Sequence, residues 1–283
     1  MAHVILQAPR IVAADIERLA AIASAEGVQE LGPTAYRLLD VDPDSREELL
    51  TQARALRLDA AWLDHITRLS DCRILAMDMD STLINIECID EIAEATGQKK
   101  AVAAITEASM RGEIKDFTES LHRRLALLKG VPVETLETVF KERLRLNPGA
   151  ERLIQSAQKH GLKTLLVSGG FTFFTDRLKR GLALDAAFAN TLEIVEGRLT
   201  GRVLGDVVDG AAKARHLEAM ARAEGAGPEQ IIVIGDGAND LPMMAHAHFS
   251  VAYRAKPVVR DQARFNLDFS PLDAVLNWFR LRH

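Results

Sequence analysis

Two carboxylates, Asp78 and Asp80, follow a short apolar run and are separated by one residue. Alternate side chains of an extended chain point to the same face, so both carboxylates are expected on one face and Met79 on the other. One carboxylate could attack a phosphorus atom, while the other could protonate the leaving oxygen and later take a proton from water. Helix capping by Asp explains many such strand ends, so the pair has to be interpreted with the other clusters.

The segment GDGAND at residues 235–240 is a second acidic cluster, and it follows the apolar run IIVI. Hard oxygen ligands of this kind are the ones that Mg²⁺ prefers in proteins. A magnesium ion would act as a template and would shield an attacking carboxylate from the negative charge of a phosphate. The alternative is a glycine-rich turn in which Asp caps a helix.

A third cluster, SGG at residues 168–170, follows the apolar run LLV. A hydroxyl group with glycine N–H groups before a helix makes a good phosphate cradle. Lys213, in the segment DGAAKARHL, could add a positive charge, although a lone lysine on a polar helix is usually solvated. Whether Lys213 belongs to the phosphate site is judged from its order and spacing relative to the other clusters.

The elements that carry these clusters are three short apolar runs, RILAM, LKTLLV and QIIVI, each followed by Asp, Ser or Gly and separated by helical stretches. Such runs are typical of strands in a parallel sheet that is buried on both faces. Because chemistry gathers at the carboxyl ends of strands in open α/β sheets, we expect one shared site there.

The stretch at residues 87–146 is helical in pattern and, at about 60 residues, is longer than a simple connection between two strands. It is expected to form a helical cap over the site. The motif Asn147-Pro148-Gly149 then marks the return to the main domain, because proline and glycine disfavour continuing a helix.

The first 70 or so residues predict a small α/β module of their own. Residues 3–8 and 35–41 are expected to be strands, and residues 11–25 and 45–58 are expected to be helices. Ser45 is the expected N-cap of the second helix, with Glu48 completing a capping box. This pattern alone assigns no function to the module.

Composition excludes several classes of function. The net charge of -5 gives no general attraction to nucleic acid or to an anionic membrane. The two cysteines, Cys72 and Cys88, suit neither a disulfide framework nor a zinc site. The N-terminal residues lack a signal-peptide pattern and no apolar run is long enough to span a membrane, so the cytoplasm is the expected location.

The motifs DMDST, SGG, Lys213 and GDGAND occur in the order of the four motifs of the haloacid dehalogenase superfamily. The longer segments DMDSTLINIECIDEIAEATG, VSGGFTFF, AFANTLEI, TGRV and GDGANDLPMM resemble the bacterial phosphoserine phosphatase family. The resemblance covers about residues 72–283. It implies an α/β fold whose Rossmann-like parallel-sheet core, residues 71–283, carries the cap, preceded by a small α/β, ACT-like domain at residues 1–70.

The resemblance implies hydrolysis of O-phospho-L-serine to L-serine and phosphate, the last step of serine biosynthesis. Asp78 would be the nucleophile that becomes an aspartyl phosphate, and Asp80 the general acid and base. Mg²⁺ would be held by Asp78, Asp236 and the backbone carbonyl of Asp80.

Further roles are implied for residues around these three. Ser168, Gly169 and Lys213 would hold the transferring phosphoryl group, whose charge is spread over its oxygens. Asn239 would support the phosphate, and Asp240 would lie in or beside the second shell of the metal.

The cap is expected to select the substrate through Glu87, Met110, Phe117 and Arg124, which match positions lining the family's pocket. Arg124 can grip a carboxylate with two hydrogen bonds and Glu87 can accept from an ammonium group. Both apolar side chains can exclude water. An acidic and a basic group together favour a zwitterionic amino-acid phosphate over simpler esters.

Two alternatives stay open. The same motifs suit a phosphatase or phosphotransferase acting on another small phosphomonoester, since a fold fixes chemistry better than substrate. The first 70 residues could also make the protein a serine-sensing regulator. Phosphoserine is the expected small-molecule partner, without nucleic acid or membrane, and a homodimer remains open.

Overall fold

The computed structural model describes residues 2–110, 113–114 and 116–281, with only the backbone described at residues 109 and 110. The strands are β1 Ala2–Gln7, β2 Gly27–Gly32, β3 Ala35–Val41, β4 Asp59–Leu63, β5 Ile74–Met77, β6 Lys163–Phe171, β7 Ala186–Val195, β8 Arg198–Leu204, β9 Ile231–Gly235, β10 Phe249–Tyr253 and β11 Phe265–Leu267. The helices are α1 Ala13–Ile22, α2 Arg46–Ala55, α3 Cys88–Ala95, α4 Lys99–Met110, α5 Phe117–Ala126, α6 Glu134–Thr138, α7 Ala150–Lys159, α8 Thr172–Leu182, α9 Gly210–Glu224, α10 Leu241–Met244 and α11 Pro257–Gln262.

The first sheet is formed by β1 to β4 in the order β2-β3-β1-β4, and its pairings are all antiparallel. One hydrophobic cluster joins it to α1 and α2, including Leu6, Leu19, Leu38 and Leu49. Both predicted strands and both predicted helices of this region are present. Strands β2 and β4 were not predicted; β2 has no buried residue that would give an alternating pattern, and β4 follows the predicted second helix directly.

The predicted capping box at Ser45 and Glu48 is wrong. Ser45 makes no side-chain hydrogen bond to the first turn of α2. Its hydroxyl donates instead to the carbonyl of Asp42 at 2.6 Å, and the Asp42 carboxylate accepts the N–H of Asp44 at 3.0 Å. The helical path begins earlier, at the short turn Pro43–Ser45, because the fixed φ of proline suits a first helical turn.

The second sheet has seven strands in the order β11-β10-β9-β5-β6-β7-β8 and is parallel except for the β7-β8 hairpin. The three apolar runs become the central neighbours β9, β5 and β6. Met77, the last residue of β5, pairs with Ile234 on one side and with Leu166 on the other. The three carboxyl ends therefore meet at one edge, as the sequence predicted.

Helices α3 to α6 lie between β5 and β6 in the chain, where a helical cap was expected. Asn147 ties the two ends of this insertion together, because its side-chain amide donates to the carbonyls of Thr82 at 2.8 Å and Ile84 at 3.0 Å. At Gly149 φ is 82°, and a Cβ there would lie 2.1 Å from Asp273 Oδ1, so the returning turn requires glycine.

The two sheets are joined by a buried carboxylate and by shared apolar packing. Asp59, which is 4% exposed, accepts the N–H groups of Asp268 and Ser270, each at 2.7 Å, and that of Phe269. Ile5 and Leu63 of the first sheet belong to the same hydrophobic cluster as β5 and β6. Within the described residues, no helix has both the length and the apolar character needed to cross a bilayer.

Candidate active site

A cavity of about 620 Å³ lies between the carboxyl edge of the second sheet and the helices α3 to α5. Its lining combines residues of all three sheet-end clusters with residues of the inserted helices. These are Asp78, Asp80, Glu87, Ile89, Asp90, Thr106, Phe117, Ser120, Leu121, Arg124, Ser168, Gly169, Gly170, Phe171, Asp236, Gly237, Ala238, Asn239, Lys256 and Val258.

Asp78 and Asp80 both line this cavity, although they are not part of a strand as the sequence analysis assumed. Strand β5 ends at Met77, and residues Met79–Leu83 form a compact turn in which Asp80 is extended, with φ -64° and ψ 134°. Ser81 adopts a left-handed conformation with φ 56°, which turns the chain sharply away from the sheet. The carboxylates converge through this turn rather than through strand alternation.

Lys213 is fully buried and lies between two carboxylates. Its Nζ is 2.7 Å from Asp78 Oδ1 and 2.7 Å from Asp240 Oδ1. Burial acts to lower the pKa of Lys213, but Asp240 and Asp78 outweigh it and raise the pKa above its usual value. The lysine is therefore a fixed positive charge beside Asp78, and the solvated alternative is excluded.

Asp240 is fully buried and holds the turn that follows β9. Besides accepting from Lys213, it uses Oδ2 to accept the N–H groups of Asp236 and Gly237, both at 3.1 Å. This network fixes the position of the Asp236 backbone relative to Asp78.

Asp78, Asp236 and Asp240 each have a carboxylate oxygen within 4.8 Å of the others, so the group could hold a metal ion. Burial, Asp240 and Asp236 raise the pKa of Asp78, against the effect of Lys213. Burial and the charges of Asp240 and Glu87 raise the pKa of Asp236 to about 7. Carboxylates crowded in this way favour a bound cation, because a cation offsets their mutual repulsion.

Asp80 has the environment of a carboxyl group that keeps its proton near neutral pH. Burial, followed by the charge of Glu87, raises the pKa of Asp80 to about 8. Its Oδ1 also accepts the N–H of Cys88 at 3.4 Å, which fixes the carboxyl group against the start of α3. A protonated carboxyl group held in this way can donate a proton.

Residues 168–170 lie in the last part of β6, where its register with β7 shifts between Val167 and Phe171. The N–H of Gly170 donates to Ser168 Oγ at 2.9 Å, and Ser168 is buried at the cavity wall. The carbonyl of Gly169 accepts from Asn190 Nδ2 at 2.8 Å, and Asn190 Oδ1 accepts the N–H of Val208 at 2.8 Å. Asn190 therefore fixes the predicted phosphate cradle.

Phe117 lies directly over this part of β6. A Cβ at Gly169 would come within 2.8 Å of the Phe117 ring, so only glycine permits this contact between the inserted helices and the sheet. Asn239, in the turn after β9, lines the same cavity. The structure thus brings both predicted residues to the site.

Glu87 and Arg124 face the same cavity, Glu87 from the residue before α3 and Arg124 from α5. Glu87 Oε1 accepts from Ser81 Oγ at 2.6 Å, while Arg124 Nε donates to the carbonyl of Ser120 at 3.3 Å. Burial lowers the pKa of Arg124, and Asp90 and Glu87 act against it. The side chain of Met110 lies outside the described residues, so its predicted contact stays a prediction.

Several residues that shape this site were not predicted from the sequence. Thr82 Oγ1 donates to Asp236 Oδ1 at 3.3 Å, and Asp90 and Lys256 line the cavity. Thr82 and Asn190 lie in segments that carried the family resemblance, DMDST and AFANTLEI, and so could have been found. Nothing in the sequence around Asp90 and Lys256, besides their charge, indicates that they line the site.

Two family models match the chain. The model described as haloacid dehalogenase-like hydrolase matches residues 75–245, and a domain of unknown function (DUF4072) matches residues 4–49.

Similar proteins cover most of the chain. A phosphoserine phosphatase from Polaromonas sp. (strain JS666 / ATCC BAA-500) is 56% identical over 74% of this chain and 90% of its own length. The solved structure of a probable phosphoserine phosphatase from Vibrio cholerae covers 99% of this chain and 86% of that chain, with a TM-score of 0.83 and 36% identity. A phospho-aspartyl intermediate analogue of phosphoserine phosphatase gives a TM-score of 0.69 and 38% identity over 74% of this chain and 99% of that chain.

Proposed function

The chain belongs to the haloacid dehalogenase-like hydrolase family and, within it, to the phosphoserine phosphatases, and we propose that it hydrolyses L-phosphoserine through a phosphorylated Asp78. The observation that carries this proposal is a single cavity in which Asp78, paired with Lys213, faces the specificity pair of Glu87 and Arg124. The residues for catalysis and those for substrate recognition then share one cavity.

In the first step, the Asp78 carboxylate attacks phosphorus and the bond from phosphorus to the serine oxygen breaks. Asp80 gives its proton to that oxygen, so serine leaves as a neutral alcohol. Lys213, Ser168 and the N–H of Gly169 hold the phosphoryl oxygens, on which negative charge is spread in the transition state.

In the second step, water attacks the phosphorus of the aspartyl phosphate. Asp80, now ionised, takes a proton from that water, and phosphate leaves with Asp78 restored. Phe117 and the walls of the cavity keep bulk water away from the leaving group during the first step.

Mg²⁺ is the cofactor that this donor set fits, because carboxylate oxygens are hard ligands and three of them are crowded together here. Asp78, Asp236 and the carbonyl of Asp80 would hold it. When bound, it supplies charge neutralisation between the carboxylate nucleophile and the phosphate. Asp240 stays engaged with Lys213 and with the backbone, so we place it beside the metal rather than on it.

The primary test is phosphate release from L-phosphoserine with Mg²⁺ and with a chelator, beside phosphate esters that lack the amino or the carboxylate group. Magnesium-dependent turnover that favours phosphoserine supports the proposal. Preferred turnover of another ester would retain Asp78, Asp80 and Asp236 in their roles and remove Glu87 and Arg124 as the specificity pair.

Arg124→Ala should raise the KM for phosphoserine by about 30-fold or more, because the substrate carboxylate loses a largely desolvated charged partner. The KM for an aryl phosphate such as p-nitrophenyl phosphate should change little, since that ester carries no carboxylate. Steady-state kinetics on both substrates measures the difference. The neighbouring Arg123→Ala is the matched control, because Arg123 is exposed and pairs with Glu119 outside the cavity. Equal losses on both esters would contradict the carboxylate role of Arg124.

Glu87→Gln should move the alkaline limb of the kcat/KM profile to lower pH. Asp80 must carry a proton to act as the acid, so activity declines as pH rises through its pKa. The negative charge of Glu87 raises that pKa, and its removal should lower the pKa. Glu91→Gln, in α3 but paired with Arg143 outside the cavity, should leave the limb in place. An alkaline limb that keeps its pH or moves to higher pH in Glu87→Gln would argue against Asp80 as the acid.

A further inference from the structure

Lys256 lies at a fixed point beside the acidic turn that follows β9. It directly precedes α11, and its N–H donates to the carbonyl of Asp236 at 3.1 Å. Its side chain is exposed and lines the cavity together with Val258. The backbone contact therefore holds the lysine next to the phosphate end of the cavity while its ammonium group stays accessible.

The charges of the cavity lining are unbalanced. Among the described lining residues there are five acidic side chains, those of Asp78, Asp80, Glu87, Asp90 and Asp236, but only two cationic side chains, those of Arg124 and Lys256.

The two other cationic side chains near the cavity, Lys213 and Arg124, are placed differently. Lys213 is fully buried and already shared by two carboxylates, and Arg124 lies on the cap. Among the described lining residues, Lys256 is thus the cationic side chain that lies outside the inserted helices and is accessible to an incoming anion.

The lysine also faces both sides of the cleft. Its backbone N–H donates to the carbonyl of Asp236, on the sheet side, and it lines the cavity together with Asp90, on α3. A positive charge in this position attracts a phosphate dianion into an otherwise acidic cavity. The same charge repels a cation from the neighbouring carboxylate, so its effects on the two ligands must have opposite signs.

We propose that Lys256 captures the phosphate group of the substrate from the sheet side of the cavity, and that its charge strengthens phosphate binding while weakening Mg²⁺ binding to the free enzyme. The identity of the ester rests on the proposed function. The opposite effects on phosphate and Mg²⁺ follow from the position of Lys256 alone.

The experiment compares Lys256→Gln with Arg254→Gln and Lys256→Arg. Arg254 is the matched control, because it is exposed two residues away, lies over the Tyr253 ring and is absent from the described cavity lining. Calorimetry measures Mg²⁺ binding to the phosphate-free enzyme and inorganic phosphate binding at saturating Mg²⁺. Steady-state kinetics gives the KM for phosphoserine at low and high ionic strength.

Lys256→Gln should weaken phosphate binding and raise the KM by about five- to tenfold, with a smaller change in kcat, and should tighten Mg²⁺ binding a few-fold. The dependence of kcat/KM on salt should become shallower, because one steering charge is lost. Lys256→Arg and Arg254→Gln should both keep the wild-type affinities for phosphate and Mg²⁺ and the wild-type KM.

Weaker binding of both ligands in Lys256→Gln would mean that the lysine only supports the Asp236 turn, and unchanged binding of both would mean that it is merely solvated. Equal shifts in Arg254→Gln would assign the effect to net charge. Each of these results overturns the proposal. The two binding measurements need no turnover, so opposite shifts would uphold Lys256 even if phosphoserine proved not to be hydrolysed.

Discussion

Asp78→Asn should reduce phosphoserine turnover by about 10⁴-fold or more, because the amide cannot attack phosphorus and no other described carboxylate occupies its position. The fold should persist, since Lys213 keeps its second partner, Asp240, and a buried carboxylate with a raised pKa is removed. Phosphate release measures turnover, and thermal melting followed by circular dichroism measures the fold.

The covalent role of Asp78 can be tested directly. Acid quenching of the wild-type enzyme during turnover of ³²P-labelled phosphoserine should trap label on the protein, and Asp78→Asn should trap none. Asp176→Asn is the control, because Asp176 is exposed on α8 and outside the cavity lining. Label that persists in Asp78→Asn, or activity within tenfold of wild type, would assign the nucleophile to another group.

Lys213→Met should cost both activity and stability. The methionine keeps most of the side-chain volume but leaves Asp78 and Asp240 buried without their cation. Removing one partner of a buried ion pair typically costs about 3–5 kcal/mol of unfolding free energy. Turnover should also decline by about 10²- to 10³-fold, because a charge that stabilises the transferring phosphoryl group is lost. Urea unfolding and phosphate release measure the two effects.

A second substitution separates the two roles of Lys213. Lys213→Met with Asp240→Asn should recover part of the lost stability, since fewer uncompensated charges stay buried, but should recover no activity. Lys159→Met, an exposed lysine at the end of α7, serves as the control for the charge change. A double variant as unstable as the single one would show that the pairing with Asp240 contributes little to folding.

The parallel core and its shared site were predictable because long-range order there follows from local patterns. Runs of β-branched and aliphatic residues predicted buried strands, and the polar residues after them had to meet at one edge. The burial of Lys213 could not be predicted in this way. The helix that carries it is polar overall, and nothing in its sequence indicates that this lysine is fully buried. Its burial depends on the sheet-end carboxylates, which only the fold brings near.

Two predictions from the sequence were wrong for local reasons: the cap of α2 and the strand conformation of Asp78 to Asp80. Asp42 rather than Ser45 caps the entry to α2, because the choice between neighbouring caps depends on where Pro43 starts the turn. Asp78 and Asp80 converge through a tight turn with Ser81 in a left-handed conformation, which a non-glycine residue rarely adopts and a propensity argument would not assign.

The hydrogen bonds from residues 268–270 to Asp59 link the beginning of the chain to its end. During translation, the four-stranded sheet is synthesised more than 200 residues before its partner at Ser270 leaves the ribosome. Domains generally fold as units while the chain is being made, and apolar surface left uncovered in the meantime is prone to aggregate. The part of the N-terminal sheet that contacts residues 268–270 therefore stays uncovered until the last part of the chain has been made.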